Sequence, residues 1–387
     1  MSKLQKLIQE LCPYGVEYKP LGDKDVSIMQ RGTSLTKKDS IEGIYPVISG
    51  GKVPAFYCNQ FNREGETITV AGSGAGAGYV QYWNEPIFVC DAFSIKGIGD
   101  VSTKYLYYCL TNLQEKIYAT KKGGGVPHVH IASIEKFLVP IPPPQVQKEI
   151  IHILDDFTNL VAELQAELQA RKAQYEYYRD KLLSFNNING GGYAGVTWMK
   201  MSEIGNICMC KRIMKEQTNN IGGVPFYKIG TFGKVADAYI SRELYEDYKN
   251  RFSFPVKGEV LISASGTIGR SVIYDGEDAY FQDSNIVWVH NDETKVLNKY
   301  LYHYYRIIEW NVEGGAIKRL YNSNLAKTKI AVPSLPEQER IVNILDKFEN
   351  LTTDLQTGLP AEIAAVQEQN EYYRNKLLSF PRIQISA

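Results

Sequence analysis

Residues Glu176–Phe185 read EYYRDKLLSF, and residues Glu371–Phe380, 195 positions later, read EYYRNKLLSF. A second stretch, ILDDFTNL at Ile153–Leu160, returns 191 positions later as ILDKFENL at Ile344–Leu351. Matches of this length at nearly the same separation indicate that one unit has been duplicated. Because this period is far longer than the roughly 20–50 residues of solenoid repeats, we interpret the unit as a globular domain followed by a helix.

The two copies have diverged unevenly along their length. Residues 146–185 and 337–380 are close to copies of each other, whereas 15–140 and 195–333 share only scattered anchors. The anchors include Tyr105-Leu106-Tyr107 with Tyr300-Leu301-Tyr302, and Val139-Pro140 with Val332-Pro333. We infer that the two helical parts have the same function and that the two globular parts have related functions on different targets.

Both helical parts carry an apolar seam with steps of mainly three and four residues, as in a coiled coil. In the first part the seam residues are Ile150, Leu154, Phe157, Val161, Leu164, Leu168, Tyr175, Tyr178 and Leu182. In the second part they are Ile341, Leu345, Phe348, Thr352, Leu355, Leu359, Ile363, Val366, Tyr373 and Leu377. A single apolar stripe needs a partner in water, so the sequence predicts that the two helices pair as an antiparallel coiled coil.

Proline and glycine predict where these helices start, stop and break. Pro142–Pro144 predict the start of the first helix, and Asn186–Gly192 predict its end. The second helix has four extra residues between the matched motifs, which is a stutter that locally unwinds a supercoil. Since Gly358 and Pro360 lie there, we expect this helix to break and restart with Pro360 in its first turn.

The globular parts combine short alternating runs with one helical stretch each, which predicts two α+β domains with mixed or antiparallel sheets. The clearest predicted strands are Thr67–Ala71, Tyr79–Trp83, Val260–Ala264 and Ser271–Tyr274. The predicted helical stretches are Ser102–Lys116 and Thr294–Trp310. The chain therefore divides into a domain at 1–145, a long helix at 146–189, a second domain at 190–335 and a second helix at 336–387.

A glycine-rich stretch, Ala71–Gly78, satisfies the G-x-G-x-x-G/A spacing of dinucleotide-binding loops. Such a loop must open a helix, whereas this stretch leads into the predicted strand Tyr79–Trp83. The corresponding Ser265–Arg270 lacks the pattern. We interpret both stretches as strand-to-strand turns whose backbone can approach a ligand closely.

No catalytic or metal-binding motif is present in the sequence. It lacks the phosphate-binding loop G-x-x-x-x-G-K-[ST], the metalloprotease motif H-E-x-x-H, the nucleophile elbow G-x-S-x-G and the Asn/Asp-Pro-Pro-aromatic loop of adenine methyltransferases. The six cysteines are irregularly spaced, and His128-Val-His130 has no identifiable third ligand, so we expect no metal site. We expect Asp91 and Asp283 to occupy equivalent positions in the two copies, and neither has an evident base beside it.

Gly-rich loops late in each globular part carry Lys or Arg together with His or Asn, a combination suited to contacting base edges and phosphates. Further polar and basic residues lie near the start of each part and in the two glycine-rich turns. The candidate DNA-binding residues are Gln30, Arg31, Ser73, Lys121, Lys122, His128, His130, Lys211, Arg212, Ser265, Thr267, Arg270, Lys318, Arg319, Asn322 and Asn324.

The 387 residues carry 43 Lys and Arg against 43 Asp and Glu, which excludes binding to nucleic acid by bulk charge. The net charges by segment are +2 for 1–145, −2 for 146–189, +3 for 190–335 and −3 for 336–387, so the domains are mildly basic. No window approaches about 18 consecutive apolar residues, and nothing marks export, so we expect a cytoplasmic protein without a membrane span.

This arrangement of two diverged domains, each followed by a near-identical helix with I-L-D-x-F and YYR-x-KLLSF, resembles the DNA specificity (S) subunit of type I restriction-modification systems. The resemblance covers essentially the whole chain. It implies two target recognition domains that each read one half of a bipartite sequence in double-stranded DNA, separated by a helical spacer. It also implies a non-catalytic subunit without a cofactor of its own.

The resemblance further implies protein partners. Two modification (M) subunits would bind S-adenosylmethionine and methylate adenine, and restriction (R) subunits would use ATP and Mg²⁺. Aromatic, apolar and basic residues of the repeated helices are the candidate docking residues. They are Leu154, Phe157, Tyr177, Tyr178, Arg179, Leu345, Phe348, Tyr372, Tyr373 and Arg374.

Two other interpretations of the sequence remain open. A stand-alone nuclease or methyltransferase with a degenerate site would act on DNA by itself. A coiled-coil scaffold would bind only protein.

Overall fold

A computed structural model describes residues 2–185, 195–315 and 318–383. The predicted helix stop at Asn186–Gly192 and the loop residues Ala316 and Ile317 lie outside the described residues. The chain forms two compact units. The first comprises Met1–Gln165 and Glu362–Ala387, and the second comprises Ala166–Ala361.

The first unit is built from short strands and helices around one main core. Its strands are β1 Glu17–Pro20, β2 Ser27–Arg31, β3 Tyr45–Ile48, β4 Phe56–Cys58, β5 Thr67–Ala71, β6 Val80–Trp83, β7 Phe88–Val89, β8 Ala92–Gly97 and β9 Leu138–Ile141. Its helices are α1 Lys3–Leu11, α2 Thr103–Asn112, α3 Gln114–Tyr118, α4 Ile131–Ile134 and the first part of α5 Pro144–Leu183.

The second unit repeats this composition. Its strands are β10 Thr197–Lys200, β11 Asn206–Cys208, β12 Thr218–Asn219, β13 Val224–Tyr227, β14 Tyr239–Ile240, β15 Val260–Ser263, β16 Ser271–Ile273, β17 Tyr280–Phe281, β18 Ile286–His290 and β19 Lys329–Val332. Its helices are α6 Met201–Ile204, α7 Arg242–Arg251, α8 Asn298–Tyr304, α9 Asn322–Lys327 and α10 Leu335–Thr353. The last helix, α11 Leu359–Leu377, begins in this unit and ends in the first.

The two units share one sheet topology. A four-stranded antiparallel sheet has the order β2-β8-β5-β6 in the first unit and β11-β18-β15-β16 in the second. A second sheet, with three strands in the first unit and four in the second, contains one parallel pair in each, β3 with β7 and β13 with β17. An antiparallel ribbon pairs β1 with β9 and β10 with β19. The predicted α+β class with mixed and antiparallel sheets is confirmed.

The helix α5 begins at Pro144, as the proline run predicts, and its 40 residues would extend about 60 Å. Its seam is confirmed by burial, since Leu154, Leu164 and Tyr175 are buried and the remaining seam residues are buried or half-buried. Residues between them, such as Glu163 and Lys172, are exposed. The heptad pattern alone therefore identified the face of the helix that packs.

The predicted break in the second helical part is also confirmed. The helix α10 ends at Thr353, α11 begins at Leu359, and Pro360 is in the first turn of α11. A Cβ on Gly358 would lie 2.7 Å from the carbonyl oxygen of Asn350, so the chain returns too closely here for a side chain. The seam assignment of Leu355 is wrong: its side chain lies in the break and is 80% exposed.

Within each unit the helices meet in antiparallel order. In the first unit Phe157, near the start of α5, stacks on Tyr373, near the end of α11, with ring centroids 5.4 Å apart. In the second unit Tyr178, near the end of α5, stacks on Phe348 of α10 at 5.6 Å. The two contacts join corresponding positions of the repeat, which confirms the predicted antiparallel pairing.

Two surface helices escaped prediction from the sequence. The helix α1 has a capping box in which Ser2 accepts from the amide of Gln5 and Gln5 accepts from that of Ser2. The helix α7 is capped by Ser241. Each fully buries a single side chain, Leu4 and Tyr245 respectively. In α1 the helical spacing of Leu4, Leu7 and Ile8, the last two packed against the core of the first unit, is the sequence signal that could have revealed it.

Candidate nucleic-acid interface

In the first unit the predicted basic loop lies on the glycine-rich turn between β5 and β6. Lys122 and His128 close a hairpin through N–H to O contacts of 2.9 and 2.8 Å between their backbones. The hairpin is held to the turn because the amide of Val129 donates to the Gly72 carbonyl at 2.9 Å. Ser73 and His128 also form a backbone bridge. Two stretches about 50 residues apart in sequence therefore form one surface.

This surface surrounds a small concavity of 250 Å³, lined in part by Arg31, Asp91, His128 and His130. The rings of His128 and His130 lie nearly parallel, with centroids 6.2 Å apart. Ser73 donates a short hydrogen bond to Asp91 from the side of the turn. The structure thus brings Arg31, which comes from β2 far upstream, to the same place as the predicted histidines.

The second unit repeats this construction with different side chains. Glu313 and Arg319 pair through backbone hydrogen bonds of 3.0 and 2.8 Å, as Lys122 and His128 do in the first unit. The amide of Leu320 donates to the Ala264 carbonyl at 2.8 Å, and Ser265 bridges to Arg319. Arg319 therefore stands where the first unit has His128.

The turns themselves correspond, because each needs glycine at the same place. Gly74 lies three residues after the end of β5, and Gly266 lies three residues after the end of β15. Their φ angles are 78° and 65°. This left-handed region disfavours other residues. Each stretch connects two antiparallel strands, so the interpretation as strand-to-strand turns, and not as dinucleotide loops, is confirmed.

The equivalence of Asp91 with Asp283 is wrong. The amide of Gly72 donates to the Asp91 carbonyl at 3.0 Å, and the amide of Ala264 donates to that of Asn285 at 2.7 Å. Asn285 therefore takes the place of Asp91, because loops of unequal length shift the register between the two copies. Asp283 instead accepts from Arg212 at 2.9 Å.

The remaining candidates of the first unit differ in position. Lys122 is exposed, and Lys121 is half-buried with its ammonium 4.1 Å from the centroid of the Tyr118 ring. Gln30 is exposed but lines a separate groove with Arg63. Of the predicted residues of this unit, Arg31, His128 and His130 line the concavity beside the hairpin, and Gln30 lies in the separate groove.

The remaining candidates of the second unit are partly exposed. Exposed side chains belong to Lys211, Arg212, Thr267, Lys318 and Asn322. Arg270 is half-buried, and its Nη1 donates to the Phe232 carbonyl at 3.0 Å.

Asn324 and Ser265 are interior residues of this surface. Asn324 is 8% exposed, and its amide donates to Glu313 Oε1 at 2.8 Å, so the structure corrects its assignment as a DNA-binding residue. Ser265 is 9% exposed and donates to Asn285 Oδ1 at 2.8 Å. Both side chains support the loops from within.

The candidate docking residues fall into buried and exposed groups. Leu154 and Leu345 are fully buried in the cores of their units, which corrects their assignment as docking residues. Phe157, Tyr178, Phe348 and Tyr373 form the two intramolecular stacks described above. Tyr177 and Tyr372, at corresponding positions of the repeat, are 60% and 59% exposed.

The two arginines of the repeated motif have local partners. Arg179 pairs with Asp180 at 2.7 Å. Arg374 lies 3.5 Å from the side-chain oxygen of Asn112, on α2. Their neighbours Tyr177 and Tyr372 are the most exposed aromatic residues of the motif.

A buried glutamine that joins each domain to its helix escaped prediction. Gln147 donates to the Pro142 carbonyl at 2.8 Å and accepts from the amide of Ser102, and Gln338 does the same with Pro333 and Leu297. Pro142 is therefore the counterpart of Pro333, so the anchor pair Val139-Pro140 with Val332-Pro333 is two residues out of register. A glutamine five residues after a proline in both copies is the sequence feature that could have revealed this contact.

The second unit also contains a partly buried charged network between α8 and α10, in which only His303 is fully buried among the described members. His303 lies 2.8 Å from Asp346, and Arg306 pairs with Glu349 at 2.7 Å. His303, Asp346 and Glu349 are the one group of described residues with metal-ligand spacing. Because Arg306 and Lys299 already pair with its carboxylates, we interpret the group as an ion-pair network.

The sequence model of the family described as the type I restriction modification DNA specificity domain matches residues 15–171 and 195–365. The chain therefore belongs to this family, as the resemblance of its repeated helices predicted. Each match contains one globular domain and the greater part of the helix that follows it.

Similar proteins carry the same description. A type I restriction enzyme specificity subunit of Haemophilus influenzae is 44% identical, with 94% of this chain and 96% of that protein covered. The specificity subunit of the type I restriction enzymes EcoR124I and EcoR124II of Escherichia coli is 29% identical, with 99% and 98% covered.

Solved structures show the same fold. The S subunit of a type I restriction-modification system from M. genitalium has a TM-score of 0.57 at 17% identity, with 94% of this chain and 96% of that chain covered. No helix among the described residues is both long and apolar enough to cross a membrane.

Proposed function

We propose that this chain is a non-catalytic, sequence-specific DNA-binding subunit that reads a bipartite target in double-stranded DNA. The observation that carries the proposal is the duplicated surface, in which a basic hairpin lies on a glycine-rich turn in both units. The backbone contacts are the same, but the residue presented is His128 in one unit and Arg319 in the other. Two surfaces with the same backbone contacts and different side chains suit the recognition of two different half-sites.

The exposed cations around each surface suit the phosphate contacts that fix a protein on the duplex. They include Arg31 and Lys122 in the first unit, and Lys211, Arg212 and Lys318 in the second. The mildly basic domains supply only part of the neutralisation that tight binding needs. Partner subunits that contribute further cations would account for the zero net charge of this chain.

The exposed Tyr177 and Tyr372 support docking of two like partners on the two helices, since aromatic residues with polar tips are enriched in interfaces. On this proposal the partners are two M subunits, with R subunits completing a restriction complex in the cytoplasm. S-adenosylmethionine, ATP and Mg²⁺ would be bound by those partners and not by this chain.

Replacing residues 195–333 by the corresponding segment of another member of the family tests the proposal. The half-site read by the second domain should change, and the other half-site should stay the same, because each surface lies within one unit. The chain in complex with its methyltransferase subunit is used to select sequences from a randomised pool of duplex oligonucleotides. The selected sequences show which half-site has changed.

The reciprocal replacement of residues 15–140 is the matched control and should change only the other half-site. A site that both replacements leave unaltered would contradict the proposal. The purified chain alone, with Mg²⁺ or S-adenosylmethionine, should neither cleave nor methylate DNA, and either product would contradict its non-catalytic role.

A further inference from the structure

Arg319 is held in place on both sides of its backbone. Its N–H and C=O pair with Glu313, and the next residue, Leu320, donates to Ala264 of the glycine-rich turn. Arg319 also forms a bridge with Ser265. The Cα of this arginine is therefore fixed relative to the four-stranded sheet although it lies in a loop.

One end of the Arg319 guanidinium is held by the chain just before β18. Its Nη2 donates to Asn285 Oδ1 at 2.8 Å and lies 3.4 Å from the Ser284 hydroxyl. Nε and Nη1 have no hydrogen-bond partner among the described residues. No carboxylate oxygen in the described ranges lies within 4.0 Å of the guanidinium either, so this half-buried cation keeps donors for a ligand.

Asn285, which accepts the hydrogen bond from Arg319, is itself fixed by further contacts. Asn285 Oδ1 also accepts from Ser265 at 2.8 Å, and the Asn285 carbonyl accepts from Ala264 at 2.7 Å. The preceding Ser284 has a φ of 52°, which is uncommon for a residue other than glycine. Such outliers persist where the surroundings hold the backbone in place, and they cluster at functional sites.

We propose that Asn285 is a positioning residue that orients the Arg319 guanidinium to read a guanine in the half-site of the second domain. The inference rests on the proposed function. A planar guanidinium with one fixed nitrogen and free neighbouring donors suits the two acceptors, O6 and N7, on the major-groove edge of guanine. A phosphate contact would not require the plane to be fixed.

The chemistry of an amide explains why this position is not a carboxylate. A carboxylate would form a charge-assisted, bidentate pair with the arginine and occupy the donors needed for a base. The Asn285 amide oxygen accepts one hydrogen bond from the arginine, beside the one from Ser265, and leaves the charge of the guanidinium unpaired. In the first unit, where His128 replaces arginine, the corresponding residue is the carboxylate Asp91.

The variant Asn285→Asp tests the inference, because it preserves shape and adds only charge. Bound sequences are selected from a randomised duplex pool by the full chain in complex with its methyltransferase subunit. The wild type should require guanine at one position of the second half-site. Asn285→Asp should weaken binding of that site about tenfold or more and lose the preference at that one position, with the first half-site unchanged.

Three further variants separate positioning from folding. Asn206→Asp makes the same charge change at the exposed first residue of β11, at the far end of the same sheet, and should leave the selected sequence unchanged. Arg319→Ala should lose the same guanine, and adding Asn285→Asp to it should have no further effect, since coupled residues are not additive. Thermal unfolding of every variant monitors the fold.

The outcomes distinguish the inference from the proposed function. A wild-type complex that selects no bipartite sequence contradicts the proposed function. A wild type that selects one, with Asn285→Asp retaining the full guanine preference, overturns the inference. So does an Arg319→Ala variant that binds all sequences uniformly more weakly, because uniform loss is the mark of a phosphate contact.

Discussion

At the residue scale, one substitution between the copies changes the chemistry of the junction between domain and helix. Tyr108 on α2 donates to Asp155 of α5 in the first unit, and His303 on α8 contacts Asp346 of α10 in the second. Burial lowers the pKa of His303, although its hydrogen bond to Asp346 opposes this. Burial acts to raise the pKa of Asp346, but hydrogen bonds from Lys299 and His303 outweigh it and lower the pKa.

Both shifts make the second unit less stable in acid. A group whose pKa is lower in the folded state binds more protons when unfolded, so stability falls as the pH falls. For His303 the loss begins as the pH falls through its unfolded value of about 6.5, and for Asp346 below about 3.9. We expect His303→Tyr, which copies the first unit, to reduce the loss of melting temperature between pH 7.5 and pH 5.5.

The reciprocal variant Tyr108→His is the matched control. It introduces a histidine beside Asp155 in the first unit and should add a pH dependence there in the same range. Identical pH slopes for the wild type and His303→Tyr would contradict the assignment of the effect to this histidine.

At the element scale, α5 contributes residues to both units, and its seam follows the heptad pattern along its whole length. Duplicating residues 166–169 adds four residues, or about 6 Å of helix at ~1.5 Å per residue. We expect the gap between the two half-sites to grow by about two base pairs at ~3.4 Å each. The half-site sequences should not change, because the proposed reading surfaces lie outside α5.

Selection from the randomised duplex pool measures both the gap and the half-sites. Glu167→Ala alters the same exposed stretch of α5 without changing its length, so it should keep the wild-type gap. A four-residue insertion that alters a half-site sequence and keeps the gap would refute the role of α5 as a spacer.

At the scale of the whole molecule, the first unit is completed by the far end of the chain. Leu378 is buried in its core, and Tyr18 donates to the Phe380 carbonyl at 3.0 Å while accepting from the Phe380 amide at 3.1 Å. Ending the chain at Ala361 should therefore destabilise the first domain. The second domain, which ends before the truncated residues, should keep its stability. Burial of Leu378 alone is worth about 2 kcal/mol.

Hydrogen exchange of β5 and β8 against β15 and β18 measures this difference. The point variant Leu378→Ala should reproduce part of the effect, and Leu355→Ala, at an 80% exposed leucine, should have almost none. Equal loss of protection in both domains after the truncation would contradict the proposed division.

Local patterns in the sequence were enough to predict the elements of this fold. The repeated motifs revealed the duplication, the heptad steps identified the packed face of α5, and Gly358 with Pro360 located the break before α11. Alternating runs placed β5, β6, β15 and β16, and the following strand excluded a dinucleotide loop after Ala71. Apart from the duplication, which was recognised by comparing distant segments, each of these features depends on residues close together in the chain, where spacing and backbone preference act directly.

The candidate site could be predicted only in outline. The sequence located both basic loops and both glycine-rich turns, yet it did not show that each loop lies on its turn. It paired Asp91 with Asp283, whereas the backbone hydrogen bonds pair it with Asn285. It also placed Leu154 and Leu345 on the docking surface, whereas the domain cores bury them.

The amino-acid sequence by itself determined the duplicated plan, the helical seam and the family of this protein. Only the tertiary structure decided that His128 and Arg319 are counterparts, that Asn285 holds Arg319, and that the C-terminal residues complete the first domain. The physical reason is that these contacts join residues far apart in the chain. Their pairing follows from loop lengths and sheet register, which local preferences do not specify.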